Sequence, residues 1–262
     1  MLTFVDTPAR TAAPSPNDTL VLLHAFPLNG HMWEEQRGFA DRGWHVIAPH
    51  FSGFGGSDLV SETPSMDDYA DTVIELLREL GIERAVLGGL SMGGYASLTI
   101  MRRAPELVRG LILADTRSEA DSLEGREGRS KMLALVREEG ADAVAQAMLP
   151  NLLGKTTRAN RARVVEYVHG MIRGTPPETI ASAIYALLSR VDAADVLPQI
   201  AVPTLIIVGE EDTITPPSMS QSMKQAIANA ELVTIEAAGH LSNLEQPQRF
   251  NDALAAFLDH RV

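Results

Sequence analysis

The sequence predicts an α/β fold: a mostly parallel twisted sheet with helices on both faces and an inserted block of helices. Three observations lead there. Short apolar runs without polar alternation, at 19–23, 85–87, 108–114 and 202–208, have the composition of strands buried on both faces. Patterns of helical period separate them, and strands that alternate with helices assemble into a parallel sheet. Between residues 117 and 195 the rhythm changes and only helical patterns occur. The expected organisation is a core in two parts, 1–116 and 196–262, interrupted by a helical cap, or lid, at 117–195.

The elements follow in order. Residues 2–5 suit an edge strand, and a loose turn follows with Pro14 and Pro16. The apolar run 19–23 leads into His24-Ala25-Phe26-Pro27-Leu28-Asn29-Gly30, with a helix near 32–39 and a strand at 44–48. A glycine-rich loop, 51–58, comes next. Ser65-Met66-Asp67-Asp68 reads as a capping box, with Asp in place of the usual Glu, and starts an amphipathic helix closed by Gly81. The strand at 85–87 and the helix carrying Tyr95, Leu98 and Met101 flank the sequence Gly88-Gly89-Leu90-Ser91-Met92-Gly93-Gly94. Strand 108–114 ends at Asp115. Helices are expected at 130–138, 142–149, 159–171 and 178–189, punctuated by Gly140, Pro150, Gly154 and Gly174. Strand 202–208, a helix at 216–228, strand 232–235 and a final helix from about Gln246 complete the chain.

Composition narrows the function. A chain of 262 residues with 45% hydrophobic content buries a sizeable core and is not disordered by default. Its formal charge of −12, from 22 basic and 34 acidic residues, argues against nucleic acid or an anionic membrane as partner. The absence of cysteine excludes thiol catalysis, disulfides and cysteine metal sites. Residues 1–6 do not read as a signal peptide, and no apolar run approaches bilayer length. A soluble cytoplasmic protein is the expectation.

Gly-x-Ser-x-Gly between a buried strand and a helix is the pattern of a sharp turn that lifts a serine hydroxyl clear of a sheet. The helix N-terminus behind Ser91 offers unpaired N–H groups and a positive dipole end, suited to a developing oxyanion. An incidental serine or a phosphate-binding turn is the alternative. No Lys follows the glycines and the dinucleotide spacing is absent, which disfavours phosphate chemistry.

A serine nucleophile needs a base, and the base an orienting acid, in the chain order Ser, Asp or Glu, His. Asp212 and His240 each lie in a loop directly after an expected strand, on the same sheet edge as Ser91. Glu210, Glu211 and Asp115 compete for the role of acid, whereas His31, His45, His169 and His260 read as surface or core residues. Of two oxyanion donors, Met92 follows the nucleophile. The second comes from the loop after residue 23, where Pro27 has no N–H and Ala25 or Phe26 remains, Phe26 being preferred.

With these residues together, the chain resembles the α/β-hydrolase superfamily along nearly its whole length. The likeness rests on His24-Ala25-Phe26-Pro27, Gly53-Phe54-Gly55-Gly56-Ser57, Gly89-Leu90-Ser91-Met92-Gly93-Gly94, Gly209-Glu210-Glu211-Asp212 and Gly239-His240. Within it, the chain is most similar to 3-oxoadipate enol-lactonase-like esterases and cofactor-free haloperoxidase/perhydrolase-type hydrolases, which share a Met-Trp pair, here Met32-Trp33. The resemblance implies the α/β-hydrolase fold, Phe26 and Met92 as oxyanion donors, and Ser91, Asp212 and His240 as a triad. It implies no metal or organic cofactor. Two departures stand out: Ala25 where the family often has Gly, and His50-Phe51-Ser52-Gly53 where Asp-x-Arg-Gly is common, so that an Arg-anchored loop brace is missing.

The expected activity is hydrolysis of a small-molecule carboxylic ester or lactone through an acyl-enzyme. Perhydrolysis on the same triad, or non-hydrolytic ligand binding on the same fold, are the alternatives. Arg117, Arg126, Arg129 and Lys131 open the helical block, and would either meet a substrate carboxylate or be neutralised by the interleaved Glu119, Asp121, Glu124 and Glu127. Neutralisation is the expectation.

Overall fold

Seven strands form one sheet, and their burial explains the lack of alternation in the sequence. They are β1 (Phe4–Thr7), β2 (Thr19–Leu23), β3 (His45–Pro49), β4 (Ala85–Leu90), β5 (Val108–Ala114), β6 (Thr204–Gly209) and β7 (Ala230–Ile235). Every residue of β2, β4 and β6 is buried, as strands covered by helices on both faces must be. The spatial order is β1-β3-β2-β4-β5-β6-β7, and only β1 runs antiparallel to its neighbour. The carboxyl ends of β2 to β7 therefore share one edge, where loops can converge. The computed structural model describes residues 2–10 and 18–262; Met1 and most of the proline-bearing turn, 11–17, lie outside the described residues.

Helices cover both faces. α1 (Met66–Glu79) begins with the capping box read from the sequence: the Ser65 hydroxyl accepts from the Asp68 N–H at 3.1 Å, and the Asp68 carboxylate accepts from the Ser65 N–H at 2.7 Å. Two of the amides that a helix start leaves unpaired are thus satisfied. Ser65→Ala is expected to lower stability by about 1 kcal/mol, a fall of a few degrees in Tm by thermal melting. An unchanged Tm would mean that water replaces the cap. α2 (Met92–Arg103) follows β4 directly, and two cations in its last turn, Arg102 and Arg103, face the negative end of the dipole.

Between β5 and β6 the described chain contains helices and no strand: α3 (Leu123–Leu152), α4 (Lys155–Asn160), α5 (Ala162–Arg173) and α6 (Pro177–Leu188). Three details differ from the sequence reading. The first helix starts seven residues earlier than 130, because the Ser122 side chain accepts from the Gly125 N–H and caps it. Gly140, read as a break between helices, takes φ 81 and ψ −173 and kinks α3 instead, a conformation open to a residue without Cβ. The helix expected at 159–171 is divided at Arg161, whose φ of −128 and ψ of 59 separate α4 from α5. The remaining helices are α7 (Pro217–Ala226), α8 (Ser242–Glu245) and α9 (Pro247–His260). The stretch near 32–39 is a 3-10 helix spanning Gly30–Arg42. Among the described residues no helix is long and apolar enough to cross a membrane.

Candidate active site

Ser91 sits between β4 and α2 with φ 54 and ψ −112, outside the ordinary regions for a residue with a Cβ. The turn closes so tightly that a Cβ on Gly89 would collide with the Gly93 carbonyl, and one on Gly93 with that of Leu23. The backbone of Ser91 is held on both sides: its N–H donates to the Ala114 carbonyl at 2.9 Å, and its carbonyl accepts from the Thr116 hydroxyl at 2.9 Å. Local strain is thereby fixed by the end of β5 and the loop that follows it, and the hydroxyl projects from the sheet edge.

The loops after β6 and β7 bring two more side chains to that hydroxyl. His240 Nε2 lies 2.8 Å from Ser91 Oγ, and His240 Nδ1 lies 2.8 Å from Asp212 Oδ2. Asp212 Oδ1 also accepts from the N–H groups of Ile214 and Thr215, at 2.8 and 3.0 Å, and Oδ2 from the Thr215 hydroxyl at 2.6 Å. This donor set fits an ionised carboxylate, so Nδ1 carries the proton and Nε2 is free to accept from the serine. All three residues are buried. Burial works to raise the Asp212 pKa, but His240 and the Thr215 donors outweigh it and hold the pKa below its ordinary value. Burial likewise opposes charge on His240, yet Asp212 ahead of Asp115 and Glu245 raises the imidazole above its ordinary 6.5.

The competing acids point elsewhere. Glu210 accepts from the Ala237 N–H, and Glu211 from the Thr156 N–H and hydroxyl. Asp115, at φ 43, accepts from the Gly209 N–H at 2.8 Å and from both the N–H and the hydroxyl of Ser242. It thus ties the two loops that carry Asp212 and His240 without touching the imidazole. Burial first, and the nearby Asp212 second, push its pKa well above the ordinary carboxylate range. Two close buried carboxylates do not ionise equally, and the one paired with His240 is the one held ionised.

The loop after β2 completes the edge. The Ala25 N–H donates to Met32 Sδ at 3.2 Å, which leaves Phe26 as the member of the pair with its N–H available. Among the described residues the N–H groups of Phe26 and of Met92, the first residue of α2, meet no acceptor. His24, a residue whose part the sequence did not reveal, braces this loop. Its Nδ1 donates to the Ala25 carbonyl at 2.9 Å and its Nε2 accepts from the Phe51 N–H at 3.0 Å. Burial lowers its pKa to about 3, so it remains a neutral brace. His50 and Ser52, where Asp and Arg are common, act similarly. His50 accepts from the Gly30 N–H at 2.9 Å, and burial lowers its pKa to about 4; Ser52 Oγ accepts from Val60 N–H and donates to the Asp58 carbonyl. Neutral hydrogen bonds thus replace an ionic brace.

Arg117 and Arg129 both pair with Asp121, the latter at 3.2 Å, and Arg190 joins them at 3.0 Å on a carboxylate only 3% exposed. Arg126 donates to the Leu188 carbonyl. Among the described residues no group of three or more His, Asp or Glu side chains could hold a metal ion.

The arrangement can activate a hydroxyl, shuttle its proton and receive a negative oxygen. Comparison with known proteins gives the family. A family model described as the alpha/beta hydrolase fold matches residues 18–247. A thermophilic esterase from Thermogutta terrifontis is 37% identical, with a TM-score of 0.92 covering 98% of this chain and 93% of that one. An enol-lactonase from Burkholderia xenovorans is 26% identical, with a TM-score of 0.89 over 99% of this chain and 96% of that one. 3-Oxoadipate enol-lactonase 2 of Acinetobacter baylyi is 28% identical over 95% of this chain and 91% of its own length.

Proposed function

The chain belongs to the alpha/beta hydrolase fold family, and from that premise we propose that it is a serine hydrolase of carboxylic esters or lactones. The observation that carries this is the unbroken hydrogen-bonded line from Asp212 through His240 to Ser91, 2.8 Å at each link. In the reaction Ser91 Oγ attacks the carbonyl carbon while His240 Nε2 takes its proton. The N–H groups of Phe26 and Met92 receive the oxyanion of the tetrahedral intermediate. His240 then returns the proton to the departing alcohol, leaving an acyl-serine, and water activated by the same imidazole releases the acid. Asp212 holds the imidazole tautomer and stabilises its charged form. No step draws on a metal or an organic cofactor.

Residues 117–195 act in this reading as a cap over a core formed by 1–116 and 196–262, and the substrate lies between them. The relatives with esterase and enol-lactonase activity support the substrate class. A panel of p-nitrophenyl esters and lactones, with a fluorophosphonate that labels activated serines, tests it. Turnover with labelling at Ser91 is expected; inertness to both would favour ligand binding without hydrolysis.

The cap arginines narrow the substrate further. Arg117 and Arg129 are engaged by Asp121, and Arg126 by a backbone carbonyl, so none of these three is left to meet a substrate carboxylate. The net charge of −12 slows an anion further. A neutral ester is expected to show a higher kcat/KM than a matched carboxylate-bearing ester. A higher value for the anion, falling as salt rises, would instead make this an enol-lactonase with a cationic pocket.

A further inference from the structure

We infer that Glu245 is a positioning residue for His240, strapping the loop that carries the imidazole to the end of helix α3. The inference rests on the serine-hydrolase reading of Ser91, Asp212 and His240. Glu245 ends α8 and is fully buried, at 0% exposure. Its Oε1 accepts from the N–H groups of Gly239 and Leu241, at 2.9 and 3.1 Å, the two residues that flank His240. Its Oε2 accepts from the Gly154 N–H at 2.8 Å, in the helical insertion. The amide between these two, that of His240 itself, donates to the Leu152 carbonyl at 3.1 Å. The two backbones cross so closely that a Cβ on Gly239 would collide with Gly154.

This strap belongs to a wider joint. Arg161 donates to the Glu245 backbone carbonyl, and Thr156 donates twice to Glu211, the neighbour of Asp212. Residues 152–161 are therefore bonded both to the loop of the acid and to the loop of the base. A part of the insertion that moved freely would carry His240 with it. The chemistry at Glu245 calls for a carboxylate: three N–H donors converge on two oxygens, whereas an amide side chain offers one acceptor. Burial raises the Glu245 pKa, and the nearby Thr157 side chain and the converging N–H groups oppose that rise. The titratable groups facing His240 are Asp212, Asp115 and Glu245, and each, when ionised, favours the protonated imidazole.

The test compares E245Q and E245D with wild type. In E245Q one oxygen can still hold Gly239 and Leu241, but the NH2 group is turned against the Gly154 N–H and the charge is lost. E245D keeps the charge and is too short to span both partners. Turnover of a neutral p-nitrophenyl ester is expected to fall on the order of 10- to 100-fold in both variants, mostly in kcat, as a displaced imidazole would cause. The His240 ring, followed by NMR without substrate, is expected to titrate at lower pH in E245Q and near the wild-type value in E245D. Wild-type kcat in either folded variant, or an unshifted His240 titration in folded E245Q, would overturn the strap. If E245Q does not fold, kcat of E245D decides. An inert wild type would overturn the hydrolase reading instead, and the substrate-free titration would still judge Glu245 by itself.

Discussion

Ser91→Ala is expected to reduce ester turnover on the order of 10⁶-fold while leaving the fold intact. Attack on the carbonyl carbon requires Oγ, and among the described residues no other hydroxyl is placed at His240 Nε2, which lies 2.8 Å from Ser91 Oγ. Alanine carries the same Cβ, so the cost of holding φ 54 is unchanged. The lost group makes its hydrogen bond to His240 alone, which keeps the stability change below about 1 kcal/mol. The measurement is initial rate with a p-nitrophenyl ester beside a thermal melt. A folded variant that keeps near-normal turnover would remove Ser91 from the reaction, and with it the acyl-enzyme.

Asp212→Asn is expected to lose about 10⁴-fold in kcat, and Asp115→Asn far less. An amide at 212 can present NH2 to His240 Nδ1, which shifts the ring proton to Nε2, where the serine proton must go. It also leaves the imidazolium without its anion in a buried site. Asp115 bonds to Gly209 and Ser242 rather than to the ring, and an amide there can accept from the Gly209 N–H and donate to the Ser242 hydroxyl, losing only the long bond from the Ser242 N–H. Damage in the reverse order would move the acid to the end of β5. The same assignment sets the pH profile. The imidazole must be neutral to take a proton, and Asp212, Asp115 and Glu245 raise its pKa against the effect of burial. Activity is therefore lost as pH falls through a midpoint above 6.5, the ordinary histidine value. A kcat/KM that stays flat from pH 8 down to 5, with chemistry limiting, would contradict His240 as base.

How much of this was legible depended on how local each determinant is. The turn at Ser91 could be read directly, because glycines two residues either side of a serine, between an apolar run and a helix, are a local requirement of that geometry. The capping box at Ser65 and Asp68 is local in the same sense. The competition between Asp115 and Asp212 could not be resolved that way. Both follow buried strands, and the choice depends on which carboxylate the loops aim at one imidazole. For the second oxyanion donor the sequence offers Ala25 and Phe26, with Phe26 preferred; that Met32, seven residues away, occupies the Ala25 amide is visible only in the fold. Glu245 gave no signal at all: it stands in the unread stretch between His240 and the final helix expected from about Gln246. Only the convergence of Gly154, Gly239 and Leu241 on it shows otherwise.

The sequence by itself determined the mostly parallel sheet, the helical block after β5 and the sharp turn that carries Ser91. Hydrophobic period, glycine placement and the order of residues along the chain carry that information over a few positions at a time. Tertiary structure alone decided which carboxylate meets the His240 imidazole, which amide of the Ala25 and Phe26 pair is left without an acceptor among the described residues, and that Arg117 and Arg129 are engaged by Asp121. Those outcomes depend on hydrogen bonds and ion pairs between segments, from a few to more than a hundred residues apart. A buried polar group must find its partner wherever folding brings one, and no local pattern records where that is.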